Sequence, residues 1–219
     1  MTAVTATVST SPVLAIRKLT TGCSSYPNYN ANTSTAGPFN LIATSTSSPF
    51  LDDKKAAIAP FTTNGIDSYG FINIPKRATS YTPSITLSCQ NSTLHFSLSS
   101  PSFTLPPAQP IPLFVTKDEN WHSSLGYGNY LGRGIPVETY DHVYVNGSTK
   151  VEGVYLGAEG NTRWRFKFNW GGNAGEYYLV RLDEEAEGTL DRRQDGGPGV
   201  FPPIDDRDFV GFLKVVGVA

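Results

Sequence analysis

Charge is scarce in this chain. Only 16% of its 219 residues are Asp, Glu, Lys or Arg, against roughly 25% in average soluble domains, which excludes an exposed helical bundle, a coiled coil or an acidic solvating tail. The formal net charge of −2 gives no electrostatic drive toward nucleic acid or an anionic membrane, so no nucleic-acid partner is expected. Histidine is rarer still: His95, His122 and His142 are the three present, and none has a second His two or four residues away, so no zinc site is indicated. No stretch reaches the roughly 18–20 uninterrupted apolar residues of a membrane span. The start, MTAVTATVSTSPVLAIRKL, lacks a basic segment followed by an apolar one. On that basis no secretory signal is expected within these residues; the chain is either made without one or is a mature chain restarted with methionine. Helical periodicity is missing too, since no dozen residues keep apolar positions at i, i+3, i+4 and i+7 without interruption.

What is abundant is Gly (21), Pro (16), Phe (12) and Tyr (11), within a hydrophobic fraction of 39% that is enough for a core. Runs rich in aromatic and β-branched residues, bounded by Gly, Pro, Asn or Asp, read as strands. They fall at Val13–Leu19, Phe39–Thr46, Ser68–Ile74, Ile85–Cys89, Thr93–Ser99, Pro112–Thr116, His142–Val145, Lys150–Leu156, Thr162–Trp170, Glu176–Leu182 and Asp208–Val218. The fold class expected is all-β: an antiparallel β-sandwich, jelly roll or barrel of about ten strands. Helical turns are expected at most over Leu51–Ile58 and Asp183–Leu190.

The two halves differ in composition. Residues 1–110 hold 34 Ser and Thr and 9 charged residues, whereas 111–219 hold 8 and 27. A proline-rich crossover at 99–112 separates them. One domain is nonetheless expected, with the crossover joining two sheets, because the first half has too few strands to close by itself.

The firmest local expectation is a four-stranded antiparallel meander over 142–182, turning at Asn146-Gly147, at Glu159-Gly160 and around Asn173. With the last hairpin symmetric about Asn173, Phe166 faces Val180, Phe168 faces Tyr178 and Arg165 faces Arg181. The alternation then puts Trp164, Phe166, Phe168 and Trp170 on the core face, and Arg163, Arg165 and Lys167 on the other. That basic stripe reads either as a solvated face paired with Glu152 or as a seat for an acidic polysaccharide.

Cys23 and Cys89 form an even pair suited to one disulfide, with two free thiols as the alternative. Sequons stand at Asn32, Asn91 and Asn146, marking possible N-glycosylation of an extracellular or cell-surface protein.

The most site-like stretch is Trp121–Gly134. Trp121, Tyr127 and Tyr130 offer flat faces for sugar rings, and Asn129 and Arg133 offer polar contacts among four glycines. The competing reading is a glycine-rich loop whose aromatics close one end of the fold. The GYGNYLG spacing does not match a dinucleotide fingerprint. Paired carboxylates for glycan cleavage are conceivable among Glu119, Glu138, Asp141 and Glu176. The acidic clusters at 183–191 and 205–208 lack calcium-loop spacing and read as a solvated surface loop, either mobile or lid-like.

The expectation that follows is a secreted or cell-surface glycoprotein that binds a carbohydrate or similar polar ligand without catalysis, metal or cofactor. The alternatives are an enzyme, either a glycan hydrolase or lyase or a small-molecule cyclase with its site near 119–142, and a structural cell-wall protein.

Overall fold

The computed structural model describes residues 14–19, 22–63, 67–77, 82, 84–98, 111–117, 123–128, 134–144, 149–170, 175–183 and 208–218, and among these there is no helix. The chain is all-β. Its strands in order are β1 (Leu14–Lys18), β2 (Ala36–Thr44), β3 (Ala57–Thr63), β4 (Asp67–Pro75), β5 (Ile85–Gln90), β6 (Thr93–Leu98), β7 (Ile111–Pro112) and β8 (Phe114–Thr116). They continue with β9 (Leu125–Tyr127), β10 (Gly134–Pro136), β11 (Glu138–Tyr144), β12 (Val154–Gly157), β13 (Arg163–Trp170), β14 (Glu176–Leu182) and β15 (Phe209–Gly217). All fifteen belong to one antiparallel sheet that is not closed into a barrel, an arrangement consistent with a β-sandwich.

The β13–β14 hairpin has the register expected from symmetry about Asn173, with Phe166 opposite Val180, Phe168 opposite Tyr178 and Arg165 opposite Arg181. The meander does not continue through the preceding turn. β12 and β13 are not hairpin partners. Both lie along one edge of β15, β12 opposite its C-terminal half (Val154–Val215, Leu156–Leu213) and β13 opposite its N-terminal half (Arg163–Phe212, Phe166–Phe209). Between them Ala158 and Asn161 exchange backbone hydrogen bonds of 2.9 Å around Glu159-Gly160, so the turn is a local kink in one edge. A Cβ at Gly157 would lie 2.1 Å from the Asn161 carbonyl oxygen, which is why that corner needs glycine. The sheet forks at this kink into one wing of β12, β11 and β1 and another of β13, β14 and β4.

Two further differences have local causes. Leu51–Ile58 is not helical. Its backbone instead extends the edge of β2, the Ala43 N–H donating to the Lys54 carbonyl and the Ala56 N–H to the Leu41 carbonyl, and Leu51 is fully buried. β3 is a strand despite Pro60, because it pairs along its length with β4 and on its other edge makes, among the described residues, an isolated bridge from Ala57 to Ser84, leaving the proline an edge position without a ladder donor to supply. Of the proline-rich crossover, residues 99–110 lie outside the described residues. Ile111–Pro112 pair with β6, and after Leu113 the same chain pairs with β9 and β10 as β8.

One buried cluster draws on both halves of the chain, from Phe39, Leu41, Leu87 and Phe96 to Trp164, Phe166, Val180 and Leu213. Trp164 is fully buried and its indole N–H donates to the Leu156 carbonyl at 2.9 Å, tying the two segments of the fork together. A smaller cluster of Phe71, Tyr177 and Leu179, with Phe61 and Tyr69, packs on the opposite face.

Cys23 and Cys89 form a disulfide with Cα atoms 5.4 Å apart. It fastens the turns after β1 to β5 across 66 residues of sequence, which corresponds to about 4 kcal/mol of unfolded-state restriction. Urea unfolding of Cys23→Ser/Cys89→Ser, or of the reduced protein, is expected to show a stability loss of about that size; an unchanged midpoint would mean that the bridge adds nothing to the folded state.

Candidate functional site

Of the five residues expected to bind ligand, Tyr127 is described, and it belongs to the core. It is 2% exposed, its ring lies 4.8 Å from that of Phe96, and it fills the space left by Gly70, where a Cβ would lie 2.5 Å from the ring. A ring so enclosed offers no face to a sugar. Trp121, Asn129, Tyr130 and Arg133 lie outside the described residues, as do Glu119, His122 and Asn146. The strands bounding this loop are placed: β8 is central, with β9 on one side and β10 on the other. Residues 128–133 therefore connect strands that flank β8.

Two arginines of the basic stripe, Arg163 and Arg165, are paired with Asp183 and not with Glu152. Asp183 is 3% exposed and its carboxylate accepts from Arg163 Nε at 2.9 Å and Arg165 Nη2 at 3.3 Å. Asp183 therefore does not belong to a solvated acidic loop. The β13–β14 register, carried past Arg165–Arg181, already places it opposite Arg163, so this pairing was available from the sequence. Most of 184–207 lies outside the described residues, while Asp208 accepts the Phe168 N–H at 2.9 Å.

β11 carries the densest titratable chemistry, divided between its two faces by strand alternation. On one face Asp141, with 2% of its side chain exposed, is held by Arg17 and Lys150, each at 2.6 Å. Burial pushes its carboxyl up, but hydrogen bonds and charge from Lys150 and Arg17 outweigh this and hold it below the ordinary carboxylate range. On the other face Glu138 pairs with Lys18 and accepts from the Tyr140 hydroxyl. Burial raises its pKa, and these two partners bring it below normal. Burial and the neighbouring Glu138 push the Tyr140 phenol up to about 12. Glu138 and Asp141 thus point to opposite sides of one strand and cannot flank a single glycosidic bond. Glu176 stands apart, ion-paired with Lys76 at the start of β14.

His142 lies on the Glu138 face, stacked on Tyr155 at 3.8 Å, edge-on to Phe212 at 4.5 Å, with Nε2 at 2.9 Å from Thr162 Oγ1. Burial lowers its pKa to about 4, Asp141 opposing weakly, so it is a neutral packing side chain at pH 7. His95, half-buried with Nδ1 2.9 Å from the Thr93 carbonyl, is also lowered by burial.

A cleft of about 140 Å³ opens between β1 and the β10–β11 corner, lined by Lys18, Tyr26, Ser92, Glu138 and Thr139. Tyr26 stacks on Phe39 at 5.1 Å and burial raises its phenol pKa. Among the described residues, no three His, Cys, Asp or Glu side chains gather as a metal site would require, and no helix is long and apolar enough to cross a membrane.

Trp170 departs from the expected core face: it is 69% exposed, because β13 outruns the cluster that covers Trp164 and Phe166.

The buried histidine sets a pH dependence. Its folded-state pKa of about 4 lies below the ordinary 6.5, so the unfolded chain binds a proton that the folded chain refuses, and stability falls as pH drops from about 6.5 toward 4. Asp141 and Glu138, both depressed, add a loss of the same sign at lower pH as they become protonated. Urea midpoints measured against pH should show this slope, and His142→Phe should flatten it above about pH 4 except for the part due to His95; an unchanged slope would rule out His142 as its source. In comparisons with known proteins, no family model matches the chain and no curated protein matches it.

Proposed function

We propose that this chain is a single-domain, secreted or cell-surface glycoprotein that binds a carbohydrate or similar polar ligand without catalysis. The observation that carries this reading is the Cys23–Cys89 disulfide with a sequon on either side of it: Asn32 and Asn91 are both exposed, on turns of the region the bridge fastens. A persistent disulfide belongs to an oxidising compartment, and exposed turn asparagines are accessible acceptors for glycan. The main buried cluster, shared by both halves, supports one domain.

The non-catalytic part of the reading is supported by the carboxylates. Glu138, Asp141 and Glu176 each hold a lysine or arginine partner, and the two shifts resolved among them are downward, whereas a general acid for glycan cleavage needs a raised value. Ligand contact is assigned to the segment between β9 and β10 and the residues preceding β9, through Trp121, Asn129, Tyr130 and Arg133.

Protein from its native source should lose mass on enzymatic removal of N-glycans, and Asn32→Gln and Asn91→Gln should each remove one increment; an unchanged mass would refute the glycoprotein reading. On an array of oligosaccharides, Trp121→Ala and Tyr130→Ala should weaken binding about tenfold while thermal unfolding stays put. Binding insensitive to both would take the ligand away from this loop.

A further inference from the structure

The rim of the β13–β14 hairpin presents a second arrangement that the reading above does not use. Trp170 stands directly opposite Glu176 in the ladder, so their side chains share a face. Glu176 is ion-paired with Lys76, and the Lys76 N–H donates to the Glu176 carbonyl at 3.0 Å, fixing the end of β4 beside the end of β14. Arg77 follows, exposed, with no ion pair or hydrogen bond among the described residues. Lys76, Arg77, Gly175 and Glu176 line a cleft of about 350 Å³. Below the rim, Phe168 meets Tyr178 edge to face and Phe209 packs tilted against Tyr178, each with ring centroids 5.8 Å apart, so the platform rests on the core.

The chemistry of this rim is specific. An exposed indole offers a flat apolar face that suits the C–H side of a pyranose ring. An unpaired guanidinium is a fork for a carboxylate. The local balance of two cations against one carboxylate favours an anion, although the chain as a whole is slightly acidic. Among the described residues, Trp170 is the one large aromatic at this rim that is exposed. A membrane-inserting tip presents a broader apolar face, and a single-strand nucleic-acid channel stacks successive bases on several rings.

We propose that this rim binds an acidic polysaccharide: a uronate ring stacks on Trp170, Arg77 takes its carboxylate, and the Lys76–Glu176 pair meets the ring hydroxyls. The proposal rests on the carbohydrate reading above for the ligand class and uses none of the residues between 121 and 133.

The test is calorimetry of the intact disulfide-bonded protein with a galacturonate oligomer and with the matching neutral galactose oligomer. The acidic oligomer should bind more tightly, and rising salt should weaken it. Trp170→Ala should reduce its affinity about tenfold, with Trp170→Phe intermediate. Arg77→Gln should remove the preference for the acidic over the neutral oligomer. All three substitutions are at exposed positions, and an unchanged thermal midpoint confirms that each variant is folded. Oligomer binding that ignores Trp170→Ala and Arg77→Gln would overturn the rim proposal while leaving a carbohydrate-binding protein. Failure of both oligomers to bind would remove the rim proposal, and silence on a broad oligosaccharide array as well would remove the carbohydrate reading. Capture by phosphatidylserine vesicles in place of the oligomer would identify the rim as a lipid contact and overturn the proposal.

Discussion

The pairing of β15 with three partners holds the molecule together. One edge of this C-terminal strand takes β2 from the Ser/Thr-rich first half, and the other is divided between β12 and β13. Buried backbone N–H and C=O groups must be paired, and β15 pairs its own on both sides while joining chain segments more than a hundred residues apart. Its inward residues Leu213 and Val215 are buried in the main cluster, so the same strand supplies ladder and core. Phe212, on its other face, closes over His142 and Tyr155.

The fork that this strand imposes sorts the side chains into separate chemical environments. On the β1–β11–β12 wing the charges are held in ion pairs: Asp141 between Arg17 and Lys150, Glu138 with Lys18. On the β13–β14–β4 wing Asp183 pairs with two arginines near the core, while at the far end the sheet extends past its apolar filling. Trp170 and the Lys76–Glu176 pair are exposed there because β13, β14 and β4 are longer than the core is wide. Exposure at the rim and burial at Trp164 are two ends of one alternating face.

Much of the hairpin was legible from local pattern. The two-residue alternation of Trp164, Phe166, Phe168 and Trp170 and a glycine-rich turn around Asn173 are enough to define register, and that register also carries the Arg163–Asp183 and Trp170–Glu176 neighbours. The turn at Glu159-Gly160 carries the same kind of local signal and leads to a different structure. Nothing within a few residues of it distinguishes a hairpin from a kink, because the deciding partner is β15, fifty residues further on. Tyr127 is a similar case. Among glycines it reads as a loop aromatic, and it is in the core because Gly70, on a strand far away in sequence, leaves room for its ring.

By itself the sequence determined the all-β class, the absence of long helices, the suitability of Cys23 and Cys89 for pairing and the register of the last hairpin. These depend on composition and short-range periodicity, which the chain carries locally. The tertiary structure alone decided which strands share an edge, that β11 presents its two carboxylates to opposite sides, that His142 is neutral and enclosed, and where the aromatic face leaves the core. Those outcomes depend on long-range ladder partners and on the finite width of the packed interior, neither of which any local stretch of residues contains.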